Sequence, residues 1–335
     1  MTDAFAAGVE GGLLLRSQRQ LHDLLDAVFA DDAGNAREQA LLAVLAAQLR
    51  AGGQDDLFVV QHGVGHARGG RGDAVFGAEL AGERDPASLD GFLLQRLAVK
   101  VDQAWVPGAP GTSLYIRPFL YGTDPTLALH GVHEATFAII LSPSGSYFSD
   151  GLKPVPIMVE TEDVRAVRGG TGEAKCGGNY GASTRAGERA EAKGYSQVLW
   201  LDGVERKYVE EGGGMNVMFK INGTVVTPAL TGSILRGVTR KSAIELLKSW
   251  GVPVEERLLS VDELFEAAKT GALEEAWCIG TAAVISPIGE LSWGDRDYKV
   301  NDNKIGALSQ KLYDELTGIQ WGTKPDPFGW VCPID

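Results

Sequence analysis

Two apolar runs, at residues 217–221 and 224–227, are separated by nothing but Asn222-Gly223. Asn-Gly accepts the positive φ angles that a two-residue turn demands, so these runs predict an antiparallel hairpin. Around it, apolar runs at 154–159, 198–201 and 277–285 read as strands, the last interrupted at Gly280-Thr281. Segments 183–193, 240–250 and 261–269 carry helical spacing, the second closed by Gly251. Strands mixed with helices in this way predict a mixed α/β unit beginning near Gly151, after the turn-rich SPSGSYFSDG.

Upstream the texture changes twice. Leu21, Leu24, Leu25 and Val28, then Leu41, Leu42, Leu45 and Leu49, fall at helical spacing, and two amphipathic helices are expected between residues 13 and 50. Residues 51–90 hold glycine and scattered charge with no sustained period and read as loop. Order resumes near Phe92, with strands expected at 113–116 and 136–141, the second stopped by Pro143 and Gly145. The expected domains are therefore an α+β part at 1–150, atypical over 1–91, and a larger part at 151–335.

Composition removes several classes of function. The 335 residues can bury two cores, and a net charge of −13 repels nucleic-acid backbones and anionic membrane surfaces. No apolar run reaches a bilayer span, and MTDAFAAGVEGG lacks the basic flank of a signal peptide, so a cytoplasmic protein is expected. Cys176, Cys278 and Cys332 are odd in number and far apart, which argues against a disulfide framework and against a CxxC metal site.

Chemistry concentrates in GGTGEAKCGGNYGAS, residues 169–183, where one lysine sits among six glycines and Tyr180 follows five positions later. Glycine lets backbone approach a ligand closely, and a lysine held there can form a Schiff base with an aldehyde. Spacing alone favours a solvated lysine in a flexible loop. A phosphate-binding P-loop is excluded, because no Gly-Lys-Ser/Thr closes the glycine run.

From residue 98 to about 330 the chain resembles the branched-chain amino acid aminotransferases, within the class IV pyridoxal-phosphate aminotransferase family. The blocks VKVDQAWVP, SLYIRPFLYGTDP, SPSGSYF, VRAVRGGTGEAKCGGNYGAS, QVLWLDG, YVEEGGGMN, VVTPALTGSILRGVTR and GTAAVISPIGEL stand in the family's order. The resemblance implies an α+β two-domain fold of the D-amino-acid/branched-chain aminotransferase type, with a small α+β domain and a larger pseudobarrel-like α/β domain. It also implies a homodimer. The implied cofactor is pyridoxal 5'-phosphate, and the implied reaction is reversible amino transfer between leucine, isoleucine or valine and 2-oxoglutarate, with glutamate and the 2-oxo acids as the other participants.

Residue by residue, Lys175 matches the lysine that carries the cofactor and moves the substrate's α-proton. Tyr180 matches the tyrosine on the cofactor's phenolic oxygen, and Glu211 the carboxylate on its ring nitrogen. Val238, Thr239 and Thr281 match phosphate-binding positions, and Ala282 belongs to a turn that receives the substrate carboxylate. Tyr115 and Arg117 match a pair near the substrate, the arginine receiving glutamate's side-chain carboxylate; Tyr147 matches an aromatic wall. Leu127 and Leu129 match a loop that reaches the neighbouring subunit. No metal is implied.

Before about residue 92 the family's strand-and-turn block and its phosphate-gripping F-R-P segment are not found; a replaced domain, a shifted reading frame or true divergence would each account for this, and the dominance of glycine, alanine, arginine and aspartate there favours GC-rich DNA read in a shifted frame. Two rival readings follow: a catalytically impaired relative acting as a binding or dimer partner, or, on the same fold, a D-amino-acid transaminase or aminodeoxychorismate lyase. SLYIRPF together with the GGTG run favours the branched-chain type.

Overall fold

The computed structural model describes residues 13–15, 45–50, 64–67, 74–77, 86–148 and 151–334. The chain forms two units, one of Met1–Ser146 with Pro327–Asp335 and one of Tyr147–Asp326.

In the first unit the described strands are β1 (Leu13–Leu15), β2 (Leu45–Arg50), β3 (Val64–Ala67), β4 (Ala74–Gly77), β5 (Ser113–Gly122), β6 (Glu134–Ser144) and, late in the chain, β16 (Val331–Cys332); helix α1 is Pro86–Val101. They join in the order β1-β2-β6-β5-β3-β4-β16. Along β5 the side chains alternate as a sheet with one packed face requires: Leu114, Ile116 and Pro118 are buried, whereas Tyr115 is half-buried and Arg117 exposed. Leu114 and Ile116 meet Leu94, Ala98 and Val99 of α1, with Phe137 and Ile139 of β6, in one apolar cluster.

This unit corrects the sequence reading. Leu45 and Leu49, expected on a helix, lie on β2, which pairs antiparallel with β6 from Ala47↔Phe137 to Arg50↔Glu134. Leu13–Leu15 is likewise a strand, parallel to β2. Hydrogen bonds offered by a neighbouring strand override the helix preference of leucine and alanine. The helical stretches predicted within residues 16–44 lie outside the described residues. The glycine-rich text read as loop contains β3 and β4, paired antiparallel to each other, and α1 starts at Pro86 rather than near Phe92. Proline suits a first helical turn, where its missing N–H has no partner to lose. Both β5 and β6 outrun their predicted lengths, and Pro143 lies within β6, opposite Leu114, rather than ending it.

The second unit contains β7 (Val155–Val159), α2 (Gly177–Ala192), β8 (Gln197–Leu201), β9 (Val209–Gly212), β10 (Asn216–Ile221), β11 (Thr224–Pro228), α3 (Val238–Ser249), β12 (Val254–Arg257), α4 (Val261–Thr270), β13 (Leu273–Gly280), β14 (Val284–Trp293), β15 (Arg296–Lys299) and α5 (Ala307–Gln320). Its sheet runs β12-β11-β10-β13-β14-β7-β8-β9, with β15 added on β14. The predicted hairpin is β10–β11, in register Ile221↔Thr224, and Asn222 and Gly223 take φ of 49° and 78° as the two-residue turn requires. Residues 277–285, read as one interrupted strand, are instead the end of β13, a turn and the start of β14, a second hairpin pairing Gly280 with Val284.

Why α4 forms is plain locally. Ser260 caps it by accepting from the Glu263 amide at 3.1 Å, and Val261, Leu264 and Phe265 fall on one face and enter the core with Phe219, Leu259 and Ile288. Among the described residues no helix is long and apolar enough to cross a membrane, and no group of three metal-ligating side chains gathers.

Candidate active site

Lys175 ends a turn that leads directly into α2, and Tyr180 lies in the first turn of that helix. Their spacing brings the lysine Nζ within 2.9 Å of the tyrosine hydroxyl. Lys175 is half-buried and Tyr180 is 47% exposed, so the amine is held by a partner yet reachable from solvent. Helix α2 is moored from behind: Arg189 reaches Glu160 at 2.7 Å, Glu162 at 2.9 Å and Asp163 at 3.0 Å, and Arg185 also binds Asp163.

Glu211, next to the last residue of β9, lies in a different environment. Its carboxylate is 3% exposed and accepts the Leu235 amide at 2.8 Å. Arg165 Nε stands 3.2 Å from its other oxygen, but the N–H is not aimed well enough for an aligned hydrogen bond. Burial dominates: it pushes the Glu211 carboxyl up to about 7, against the opposing pull of the Arg165 guanidinium, the Leu235 amide and the Lys175 ammonium. Neighbouring Glu210 is also buried, accepts from the Ser233 hydroxyl, and is raised by burial. A buried carboxyl poised near neutrality, within the field of Lys175, is the electrostatic mark of a functional site.

The segment that supplies the Leu235 amide leads into α3. Gly237, at φ +64°, is the residue before this helix and has no side chain to cap it. A Cβ there would collide with Asn216 Oδ1, so only glycine fits. By contrast α4 is capped by Ser260, and at α5 Glu275 accepts the Leu308 and Ser309 amides. No side chain caps the start of α3 at Val238 and Thr239, and backbone amides at a helix start can receive an anion. Asn216 ties this start to Glu211: its amide donates to Leu235 O at 2.7 Å and lies 3.5 Å from Glu211 Oε1.

Thr281 and Ala282 lie in the β13–β14 turn, at the same end of the sheet as Asn216, which pairs with Ile279. Gly280 packs on Met215; a Cβ there would be 3.0 Å from Met215 Cγ. A Cβ on Gly214 would stand 3.8 Å from the Tyr180 ring, which links the β9–β10 turn to the lysine–tyrosine pair. The second unit thus gathers Lys175, Tyr180, Glu211, Val238, Thr239, Thr281 and Ala282 about the turns at one sheet end. Tyr147 is 59% exposed and meets Phe148 edge-on at 4.9 Å. In the first unit Arg117 donates to the Tyr115 hydroxyl, with its guanidinium 4.8 Å from that ring's centre.

Sequence reasoning assigned no role to Arg165, Asn179 or Asn216. Arg165 is buried, pairs with Glu211 and donates to Gly172 O at 3.3 Å and to Ser233 O. Its one sequence signal is an arginine flanked by Val164 and Ala166, just before the glycine run.

A half-buried amine beside a phenol, a buried acid and an uncapped helix start suit a phosphate-bearing aldehyde with a basic ring nitrogen: the amine answers the aldehyde, the acid the nitrogen, the amides the phosphate. Such an arrangement can serve cofactor-assisted amine chemistry. The family model for class IV amino-transferases matches residues 95–291, and the chain belongs to this family. It is 56% identical over 236 residues, 70% of this chain and 65% of the other, to branched-chain-amino-acid aminotransferase 2 of Bacillus subtilis (strain 168). Over 248 residues, 73% of this chain and 69% of the other, it is 54% identical to a probable branched-chain-amino-acid aminotransferase of Staphylococcus aureus (strain MRSA252). The matched segment therefore spans about two thirds of these relatives' length.

Solved structures agree on the fold, which is the α+β architecture of the branched-chain aminotransferases. The Escherichia coli branched-chain amino acid aminotransferase superposes with a TM-score of 0.65 at 22% identity, covering 92% of this chain and 96% of that one. The branched-chain amino acid aminotransferase of Thermobaculum terrenum, in its PLP-form, gives 0.66 at 20% identity, covering 92% and 95%.

Proposed function

We propose that this protein is a branched-chain amino acid transaminase that uses pyridoxal 5'-phosphate to move an amino group between leucine, isoleucine or valine and 2-oxoglutarate. The observation that carries the reading is Lys175 Nζ at 2.9 Å from Tyr180 Oη, with buried Glu211 within the field of that lysine, in a chain 56% identical to a protein of that name. When bound, the cofactor supplies an electron sink for the pair released at the substrate's α-carbon.

The chain's own residues do the rest. Lys175 holds the cofactor and then accepts and returns the α-proton. Tyr180, already on the lysine, offers its hydroxyl to the phenolic oxygen. Glu211 keeps the ring nitrogen protonated, and the amides of Val238 and Thr239 with the hydroxyl of Thr281 hold the phosphate. Ala282 lends backbone to the substrate carboxylate, and Tyr147 an aromatic surface. Arg117, steadied by Tyr115, serves glutamate's side-chain carboxylate. In this reading the unit of Tyr147–Asp326 is the cofactor-binding domain, and Met1–Ser146 with Pro327–Asp335 is the smaller one.

We assign the protein to the cytoplasm as a homodimer, with no nucleic-acid or membrane partner. Apolar Leu127 and Leu129 stand fully in solvent in the single chain, as residues covered by a second copy would. The test is a spectrum: purified protein mixed with pyridoxal 5'-phosphate gains a visible band, and leucine then bleaches it. Cofactor bound with no response to leucine or glutamate would instead support an impaired relative, the reading favoured by the unmatched first 91 residues.

A further inference from the structure

The turn that delivers Lys175 is held at Gly172 O by Arg165 and, at its two ends, by a side chain that the proposed chemistry does not use. Asn179, third residue of α2, is 7% exposed and points back across the loop it follows. Its amide donates to Thr171 O at 2.7 Å and to Ala174 O at 3.0 Å, and its carbonyl accepts from Thr171 Oγ1 at 2.7 Å. Three of the four hydrogen bonds an asparagine can make are therefore spent on the two ends of a single turn. Ala174 is the residue before Lys175, and Tyr180 is the residue after Asn179.

The backbone cannot do this alone. Within the turn, Ala174 N donates to Thr171 O at 3.0 Å, and the helix entry adds only Asn179 N to Cys176 O at 3.1 Å. Glycines at 169, 170, 172, 177 and 178 flank the lysine and leave the chain many alternative paths. One side is anchored, because a Cβ on Gly172 would collide with Ser233 O. Between that anchor and the helix, the Asn179 amide is the connection that sets where Lys175 leaves the loop relative to Tyr180.

We propose that Asn179, with Thr171, is a positioning residue for Lys175: it clamps Thr171 and Ala174 so that the lysine amine stands on the Tyr180 hydroxyl and meets the cofactor aldehyde in one geometry. The inference rests on the assignment of Lys175 as the cofactor lysine. Asn179 touches neither substrate nor cofactor in this role; it acts through the backbone. Small losses of alignment are costly, since a misplacement near 1 Å can cost about a hundredfold in rate.

The test follows covalent attachment of pyridoxal 5'-phosphate, trapped by borohydride and located by peptide mass, in wild type, Asn179→Asp, Asn179→Ala and Thr171→Val. Aspartate keeps the size and the acceptor for Thr171 but has no amide hydrogens for Thr171 O and Ala174 O. Alanine removes the clamp without burying a charge, and circular dichroism selects the variants that fold. Attachment at Lys175 should slow by roughly tenfold to a hundredfold in both Asn179 variants and by less in Thr171→Val, while attachment at exposed Lys269 and Lys304 stays unchanged. Wild-type attachment at Lys175 in a folded Asn179 variant overturns the inference, as does equal slowing at all lysines. A wild-type protein that labels Lys269 or Lys304 as fast as Lys175 would overturn the assignment of Lys175 itself.

Discussion

Replacing Glu211 by glutamine should make the cofactor-free protein more stable at neutral pH and the enzyme slower. Burial lifts the Glu211 carboxyl from an ordinary 4.5 to about 7, a difference worth about 3 kcal/mol at 1.36 kcal/mol per unit. The folded pKa lies above the unfolded one, so the folded state holds its proton more tightly. This contribution is intact below pH 4.5 and is lost as pH rises from there through 7. Glutamine imitates the protonated acid at every pH. In denaturant titrations without cofactor, the two proteins should therefore match near pH 4.5 and diverge towards pH 8, glutamine becoming the more stable by up to about 3 kcal/mol. Turnover should move the other way, by one to two decades, because a neutral amide cannot hold the ring nitrogen's proton; a charged partner is worth about 1.5 to 3 kcal/mol. Parallel stability curves for the two proteins from pH 4.5 to 8 would refute the buried-acid argument, and an unchanged kcat would shift the role to Glu210.

Three further perturbations test other parts of the site. Arg117→Ala should lower kcat/KM for glutamate and 2-oxoglutarate by roughly tenfold to a hundredfold and for leucine by less, in single-turnover measurements at the cofactor's absorbance; equal losses would make Arg117 a scaffold residue. Gly237→Ala forces a side chain into φ +64° and against Asn216, so it should cost about 1 to 3 kcal/mol in denaturant unfolding and weaken pyridoxal 5'-phosphate binding in an absorbance titration. Leu127→Asp with Leu129→Asp should shift the species measured by light scattering from dimer to monomer while leaving the monomer's circular dichroism unchanged.

Features set by neighbours in sequence were legible, and those set by distant partners were not. The Asn222-Gly223 turn declared its hairpin because its two positive φ angles are a local demand. Leu45 and Leu49 misled, because their helical spacing says nothing of the strand at Glu134–Ser144 that captures this stretch. Residues 277–285 read as one strand interrupted at Gly280-Thr281, rather than as two, because Ala282 and Ala283, in the turn, are as apolar as the strands they join. Lys175, Tyr180 and Glu211 were singled out through whole blocks resembling a family, since one lysine among glycines is ambiguous by itself. Arg165 was missed because one of its partners, Ser233, is 68 positions away, and a buried arginine has no sequence period to betray it. Asn179 was quoted within the block but could not be weighed, because its role depends on how the loop before it turns.

We propose that Lys175 makes this chain a transaminase for branched-chain amino acids. The most direct measurement supplies ¹⁵N-leucine and 2-oxoglutarate with saturating pyridoxal 5'-phosphate and follows ¹⁵N-glutamate by mass spectrometry, in wild type and in folded Lys175→Ala. Label should pass to glutamate with the wild-type protein, alongside the 2-oxo acid of leucine, and fall to the background of free cofactor in the variant. Transfer that survives the loss of Lys175, or a wild-type protein that binds the cofactor and moves no label, would contradict the account.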